Sequence, residues 1–275
     1  MSTVKETLSR CRELADSDSA RLDTEVLLGY VLGRPRTWLY TWPEYQLTPS
    51  EQRQFERLFE RRKKGEPVAY LTGEREFWSL SLKVNASTLI PRPETELLVE
   101  IALQLCPQTQ LRALDLGTGS GAIALALAAE KPGWTIVAAE KSADALALAQ
   151  ENRKALGFGN VELVQSDWFA EIPQREFDLI VSNPPYIDAA DPHLSEGDVR
   201  FEPRSALVAE GEGLADIAAI ARHSGEYLEP GGWLMVEHGW QQAAAVRELF
   251  ADAGLHGVES RKDYSGWERV TLGRK

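Results

Sequence analysis

Residues 111–130 read "LRALDLGTGSGAIALALAAE". An apolar run ends at Asp115, glycines follow at 117, 119 and 121, and an alanine- and leucine-rich stretch without a breaker comes next. That order predicts a strand, a tight turn and a helix. Glycines at such a junction allow positive φ and let backbone N–H groups approach a ligand at a helix N-terminus. Gly117, Gly119 and Ala122 also fit the looser G-x-G-x-x-G/A dinucleotide pattern. The turn therefore predicts a ligand without naming it.

Downstream, strand and helix patterns alternate. "WTIVAAE", "VELVQ", "FDLIVSN" and "GGWLMVEH" read as strands; "SADALALAQENRKAL", "GLADIAAIARHSGEYL" and "QQAAAVRELFADAG" read as helices. "GVESRKD" and "WERVTLG", separated by the short turn "YSG", close the chain as two antiparallel strands. Repeated βα units require a mostly parallel sheet with helices on both faces. The expected fold is α/β, a seven-stranded doubly wound, Rossmann-like sheet. In such sheets the chain builds outward from the first strand and then returns beside it, and ligands bind at that switch point, beyond the carboxyl ends of the strands. Three strand tips then matter. Glu140 ends the second strand, placed to accept hydrogen bonds from ribose hydroxyls of either a nicotinamide dinucleotide or S-adenosylmethionine. Asp167 and Trp168 follow the third, suited to an adenine amine and an adenine face. The fourth ends in Asn183-Pro184-Pro185-Tyr186, which should face the glycine turn.

Upstream the pattern is helical. Leu8, Cys11, Leu14 and Ala15 fall at helical spacing, as do Val26, Leu27, Tyr30 and Val31, with Asp23-Thr24 as a candidate cap for the second helix. A third helix is expected from Ser50, with Phe55, Leu58 and Phe59 on one side, stopped by Gly65 and Pro67. The basic run "RRKK" at 61–64 reads as a solvated helix end with its cations at the negative pole of the dipole. Residues 77–84 alternate as a strand or hairpin, and "IPRPETE" (90–96) opens a further helix, by structural capping or with a direct role. The expected organisation is a helical domain over 1–72, a β-hairpin connector over 73–90 and an α/β domain over 91–275.

The 275-residue chain carries a net charge of −12, which weighs against a large nucleic-acid footprint. Two cysteines and four scattered histidines offer neither a disulfide framework nor metal-ligand spacing. No metal is expected. No apolar run is long enough for a membrane span, and the first residues lack a signal-peptide core, so a cytoplasmic location is expected.

Taken together, Asp-x-Gly-x-Gly-x-Gly and Asn-Pro-Pro-Tyr resemble the motifs of class I S-adenosylmethionine-dependent methyltransferases that act on nitrogen of a planar amide or amine. "FWSLSLKVNASTLIPRPETELLVE", "RFEPRSALVAEGEGLADI" and "GWLMVEHGWQQAAAVRELF…KDYSGWERVTLGR" extend the resemblance over nearly the whole chain, to the peptide chain release factor glutamine N5-methyltransferase family (PrmC/HemK). The resemblance implies S-adenosyl-L-methionine as cofactor, held by Gly117, Thr118, Gly119, Ser120, Gly121, Glu140, Trp168 and Asn183. It implies a substrate glutamine held by Asn183, Pro184, Pro185 and Tyr186, with Asn183, Pro184 and Tyr186 catalytic. Many relatives carry Asp at the position of Glu140; the longer side chain should still reach the ribose. The implied partner is a release factor docked on the N-terminal helices. No direct nucleic-acid or membrane contact is expected, and a monomer is expected.

The tetrapeptide suits that chemistry. An amide nitrogen is a poor nucleophile because its lone pair is delocalised into the carbonyl. Asn183 Oδ1 and the Pro184 carbonyl can each accept one N–H of the substrate, and Tyr186 can stack on its plane, aiming the lone pair at the methyl. The rivals are a DNA or RNA adenine N6-methyltransferase, which should carry a basic groove, a nicotinamide oxidoreductase, which lacks an obvious acid-base His or Tyr-Lys pair at the strand tips, and a non-catalytic module, against which the intact motifs argue.

Overall fold

The computed structural model describes residues 2–173 and 176–275. The chain divides into two compact units, Met1–Glu74 with Pro192–Phe201, and Arg75–Asp191 with Glu202–Lys275.

The first unit is helical: α1 (Val4–Ser9), α2 (Ala20–Leu32), α3 (Arg36–Thr41), α4 (Pro49–Lys63) and α5 (Val68–Thr72). Thr3 with Glu6 and Thr48 with Glu51 form capping boxes that start α1 and α4, each cap contributing about 1 kcal/mol. Leu8, Leu27, Leu28, Phe55, Leu58 and Phe59 meet in one core.

Two expectations fail in this unit and a third holds only in part. The first helical pattern does not continue to Ala15: α1 ends at Ser9, a 3-10 turn follows, and only Leu8 and Leu14 of the expected set enter the core. Asp23 and Thr24 do not cap α2. They lie inside it, both buried, and Tyr30 is exposed while Leu28 is enclosed. The cause is a set of tertiary ion pairs. Asp23 Oδ2 accepts from Arg62 Nε at 2.8 Å, and Glu25, also within α2, is met by Arg21 at 2.6 Å, Arg36 at 2.7 Å and the Tyr40 hydroxyl. Burial alone would raise the Glu25 carboxyl; the hydrogen bonds from Tyr40, Arg36 and Arg21 outweigh it and hold the group low. The basic run closes α4 as expected, with Arg61, Lys63 and Lys64 exposed, but Arg62 departs from it. Arg62 is nearly enclosed and also donates to Asp198 at 2.8 Å, Arg61 pairs with Glu66, and Lys63 reaches Glu13 and Glu60 at 3.3 Å. Arg200 donates to the Lys64 carbonyl at 3.0 Å, so 192–201 is fastened to the end of α4 at two points.

From Arg75 on, the second unit holds a hairpin made of β1 (Glu74–Phe77), whose first residue closes the helical unit, and β2 (Leu80–Lys83). The expected alternation over 77–84 is broken by a two-residue turn at Trp78 and Ser79, both at positive φ (51° and 59°). This is the twist-matched hairpin turn, built without glycine. Trp78 compensates through hydrogen bonds: its backbone N–H donates to Glu96 and its indole to Glu130, both at 2.8 Å.

The main sheet holds β3 (Arg112–Leu116), β4 (Thr135–Glu140), β5 (Val161–Gln165), β6 (Phe177–Ser182), β7 (Leu228–Glu237), β8 (His256–Lys262) and β9 (Glu268–Arg274), in the order β5-β4-β3-β6-β7-β9-β8. Strands β5 to β7 in that order run parallel, and β9 pairs antiparallel to both β7 and β8. Helices α6 (Glu96–Leu105), α7 (Ala122–Glu130), α8 (Ala143–Leu156), α9 (Ala215–Tyr227) and α10 (Ala243–Asp252) connect them. Successive residues of β3 point to opposite faces: Ala113 packs with α6 and α7, Leu114 with α9 and α10. Every residue of α7 from Ala122 to Ala128 is buried, which its all-apolar sequence requires. The chain reverses between β5 and β6, so β3 has β4 on one side and β6 on the other, and the sheet's switch point lies at the tips of β3 and β6. Among the described residues no helix is long and apolar enough to cross a membrane.

Candidate active site

The tips of β3 and β6 are tied together. Leu116 and Ser182 are register partners, and the Ser182 hydroxyl donates to the Leu116 carbonyl at 2.7 Å. The segments beyond the two strands are thereby fixed side by side, Gly117 to Gly121 after β3 and Asn183 to Tyr186 after β6. A cleft of about 380 Å3 opens over these tips.

The glycine turn is held from below. Gly117 and Thr118 N–H both donate to the Ala139 carbonyl at 2.9 Å, and Gly119 N–H donates to Glu140 Oε2 at 2.9 Å. Gly117 sits at φ +72°, and an added Cβ would stand 3.3 Å from the Trp168 ring. The position thus needs glycine for its backbone and for the close approach of the indole. Gly121 is the N-cap of α7 and has no side chain to offer. Asp115 does that work from the strand, its Oδ2 accepting from the Thr118 hydroxyl at 2.6 Å and from Ala124 N–H at 3.2 Å. Burial pushes the Asp115 carboxyl up to about 7, against the pull of those two bonds. Its Oδ1 has no partner. Asn152 of α8, fully buried, donates to the Ser120 carbonyl at 2.9 Å and pairs with the backbone of Lys83 through both its amide atoms.

Glu140, at the tip of β4, accepts from Gly119 on one oxygen and from Ser142 N–H at 2.9 Å on the other. It braces the glycine turn and the start of α8 together, and each oxygen keeps a lone pair for a ligand. Trp168 is at φ +50°, half-buried over Gly117, and its indole hydrogen-bonds Asp216, whose carboxyl burial raises and this bond lowers. Asp167 is engaged in an exposed pair with Lys141 at 2.8 Å.

The second tip is clamped as well. The Tyr186 carbonyl accepts from Gln242 Nε2 at 3.0 Å, and Gly213 packs so close to it that a Cβ would fall 2.2 Å from the oxygen. Ile187 and Ala209 exchange backbone bonds with the segment opposite, Ile187 N–H to Leu207 at 2.9 Å and Ala209 N–H to Ile187 at 3.1 Å. Asn183 Nδ2 donates to the Thr95 hydroxyl at 3.1 Å, while its Oδ1 is buried and has no partner. The Tyr186 hydroxyl donates to Glu237 Oε1 at 3.4 Å. Burial pushes the Glu237 carboxyl up to about 7; Thr95, Arg269 and Tyr186 pull it back.

The structure therefore brings Gly117, Thr118, Gly119, Ser120, Glu140, Trp168, Asn183 and Pro185 into one cleft wall. Gly121, Pro184 and Tyr186 stand behind it, Pro184 buried and Tyr186 packed into the core on the α9 side. Arg92 also lines the cleft and pairs with the enclosed Glu202 at 2.6 Å, whereas Glu94 is exposed. Sequence reading missed Asn152, Thr95, Asp216, Glu237 and Gln242. For Glu237 a signal existed: it is the acid that ends the apolar run "GGWLMVE", as Glu140 ends "WTIVAAE".

Comparison with known proteins matches the PrmC N-terminal domain over residues 7–73 and the methyltransferase small domain over residues 93–201. The chain is 56% identical over 262 residues to the release factor glutamine methyltransferase of Salmonella typhimurium, covering 95% of each chain. The chain belongs to the release factor glutamine methyltransferase family. A second member of the family, from Escherichia coli K12, is 54% identical over 262 residues, again covering 95% of each chain. The α/β fold is shared more widely. The crystal structure of a methyltransferase from Pyrococcus furiosus superposes with a TM-score of 0.55 at 19% identity, over 71% of this chain and 89% of that one.

Proposed function

We propose that the protein methylates the side-chain amide nitrogen, N5, of the glutamine in the Gly-Gly-Gln motif of peptide chain release factors, using S-adenosyl-L-methionine and giving N5-methylglutamine and S-adenosyl-L-homocysteine. The observation that carries this reading is Asn183 Oδ1, a buried acceptor without a partner in a residue that lines the cleft and whose Nδ2 is already committed to Thr95. An unmet buried acceptor costs roughly 1–3 kcal/mol, and a substrate N–H removes that cost as it binds.

The cleft fits an adenosyl cofactor. Glu140 suits ribose hydroxyls, Trp168 a purine face, and the positive-φ turn at Gly117 and Gly119 a close backbone approach. When bound, the cofactor supplies a sulfonium methyl that is already electrophilic. The chain's own part is orientation. Asn183 Oδ1 in the cleft wall and the backbone carbonyl of Pro184, whose ring is buried behind that wall, accept the two N–H groups of the glutamine amide and turn its lone pair toward the cofactor side of the cleft. The same two dipoles stabilise the positive charge that grows on nitrogen. The proton leaves to solvent after the new N–C bond has formed, so no strong base is needed beforehand. The prolines lend stiffness without offering competing donors. Gln242 and Gly213 hold the tip from behind.

The helical unit serves as the docking element for the release factor, and the net charge of −12 supports a protein rather than a nucleic-acid partner. The enzyme acts as a cytoplasmic monomer. The test is transfer of labelled methyl to three acceptors: a release factor, the same factor with the motif glutamine replaced, and duplex DNA. Label is expected on the first alone. Label on DNA, or equal label on both factors, overturns the reading.

A further inference from the structure

Helices commonly start on Ser, Thr, Asp or Asn, whose side chain bonds an N–H of the helix's own first turn. The residue at that place in α10 is Gln242, and its side chain makes no such bond. It is spent elsewhere. Oε1 accepts from Gly239 N–H at 2.8 Å, and Nε2 donates to two carbonyls, Tyr186 at 3.0 Å and Glu212 at 3.1 Å. One amide thus ties together the segment after β6, the turn ahead of α9 and the segment after β7. The turn ahead of α9 is bent to meet it. Gly211, Glu212 and Gly213 stand in succession at positive φ, 61°, 58° and 80°. At Glu212, which carries a side chain, that conformation is strained, and such strain persists only where its surroundings enforce it. Here the bend brings the Glu212 carbonyl to Gln242 and packs Gly213 against Tyr186, where a Cβ would fall 2.2 Å from the carbonyl oxygen. Two carbonyl oxygens that approach one point repel unless hydrogens stand between them. A primary amide supplies two hydrogens and an acceptor from one plane.

We infer that Gln242 is a positioning residue for methyl transfer: by holding the Tyr186 carbonyl it fixes the far end of the tetrapeptide that presents Asn183 Oδ1 and the Pro184 carbonyl. The inference rests on the role proposed for that tetrapeptide. Its near end is fixed by Ser182, whose hydroxyl donates to the Leu116 carbonyl at 2.7 Å. Between the two anchors lie Pro184 and Pro185, and their rings lock two of the rotations that could absorb a displacement. A shift at Tyr186 is therefore carried back to the Pro184 carbonyl and to Asn183. Misplacement of reacting groups by about 1 Å costs on the order of 100-fold in rate. The cofactor side of the cleft has its own anchors, since the glycine turn hangs on the Ala139 carbonyl and on Glu140, while both hydrogens of the Gln242 amide are committed to Tyr186 and Glu212. Loss of those hydrogens should fall on the transfer step and spare cofactor binding.

The test uses the full chain with a release factor as acceptor, measuring kcat, KM for the factor and the Kd for S-adenosyl-L-homocysteine, with thermal unfolding alongside. Gln242→Glu keeps the shape and the acceptor for Gly239 but loses both hydrogens. It should lower kcat by about 10- to 100-fold while Kd changes by less than about threefold. Gly213→Ala pushes the same Tyr186 carbonyl aside by another route and should show the same split. In an Asn183→Ala background Gln242→Glu should cost less than it does in the wild type, because the acceptor it aims is gone. A Glu variant with wild-type kcat, a loss of kcat matched by an equal weakening of Kd, or a cost undiminished in the Asn183→Ala background overturns the inference. A wild type that leaves the release factor unlabelled overturns the methyl-transfer reading instead, so the two failures are told apart by the wild-type lane alone.

Discussion

In the helical unit the enclosed carboxylate of Glu25 is met by two arginines and a tyrosine, and Asp23 by Arg62; in the sheet unit Asp115, Asn183 and Glu237 each keep a buried oxygen with no partner. Among the described residues no buried side-chain polar atom of the helical unit is left in that condition. Both arrangements carry the desolvation cost of burial. In the first the cost is offset within the chain, and the pairs fix how the helices pack. In the second it is left open, and of the three residues Asn183 lines the cleft while Asp115 and Glu237 lie enclosed behind it.

The sharpest way to break this contrast is to delete one polar group from each side. Asn183→Ala should lower kcat by about 1,000-fold, since it removes an acceptor aimed at charge that develops only in the transition state. Its stability should fall by only about 1 kcal/mol, because the one internal side-chain bond lost is that from Nδ2 to Thr95. Steady-state kinetics beside a denaturation curve measure both. Arg62→Ala should do the reverse. It strands Asp23 inside the helical unit and releases Asp198, destabilising that unit by roughly 3 kcal/mol. Urea unfolding, followed by hydrogen exchange over α2 and α4, gives the figure; an unchanged midpoint would mean the ion pairs do not set the packing.

The third effect is smaller and sharpens the contrast by sign. Glu25 is held low by its partners, so its stabilisation is present above the ordinary carboxylate range and is lost as pH falls below it. Asp115 and Glu237 are both raised to about 7 by burial, so the stability associated with their protonated forms is full near pH 4 and is lost as pH rises to neutrality. Between pH 5 and 8 the sheet unit should weaken by an amount on the order of 2 kcal/mol while the helical unit holds. Asp115→Asn should flatten that slope, read as hydrogen-exchange protection in β3 and α7 against pH.

The parts of this architecture that are legible in the sequence are those written in contiguous residues. Apolar runs such as "FDLIVS" and the spaced glycines announce strands and a turn because their pattern needs no distant partner. The cleft's polar furniture is not legible for the opposite reason. Thr95 reads as part of a helix entry, and only β6 arriving from 88 residues away gives its hydroxyl a partner in Asn183. Asp23 reads as a cap because an acid beside a threonine usually marks a helix start; Arg62, 39 residues further on, makes it a buried anchor. Nothing local in 192–201 announces that it belongs with the helices, since its fastening runs through Asp198 and Arg200 to α4. Tyr186 sits behind the cleft rather than in its wall because Glu237, not solvent, receives its hydroxyl.

The indole of Trp168, packed over Gly117, gives this chain a built-in optical reporter. Of its eight tryptophans, Trp168 alone lines the cleft. Its fluorescence should respond to whatever stacks beside it, over the signal of the remaining tryptophans outside the cleft lining. Occupancy of the cleft becomes a quantity that can be followed by light in unlabelled protein, before any methyl group has moved.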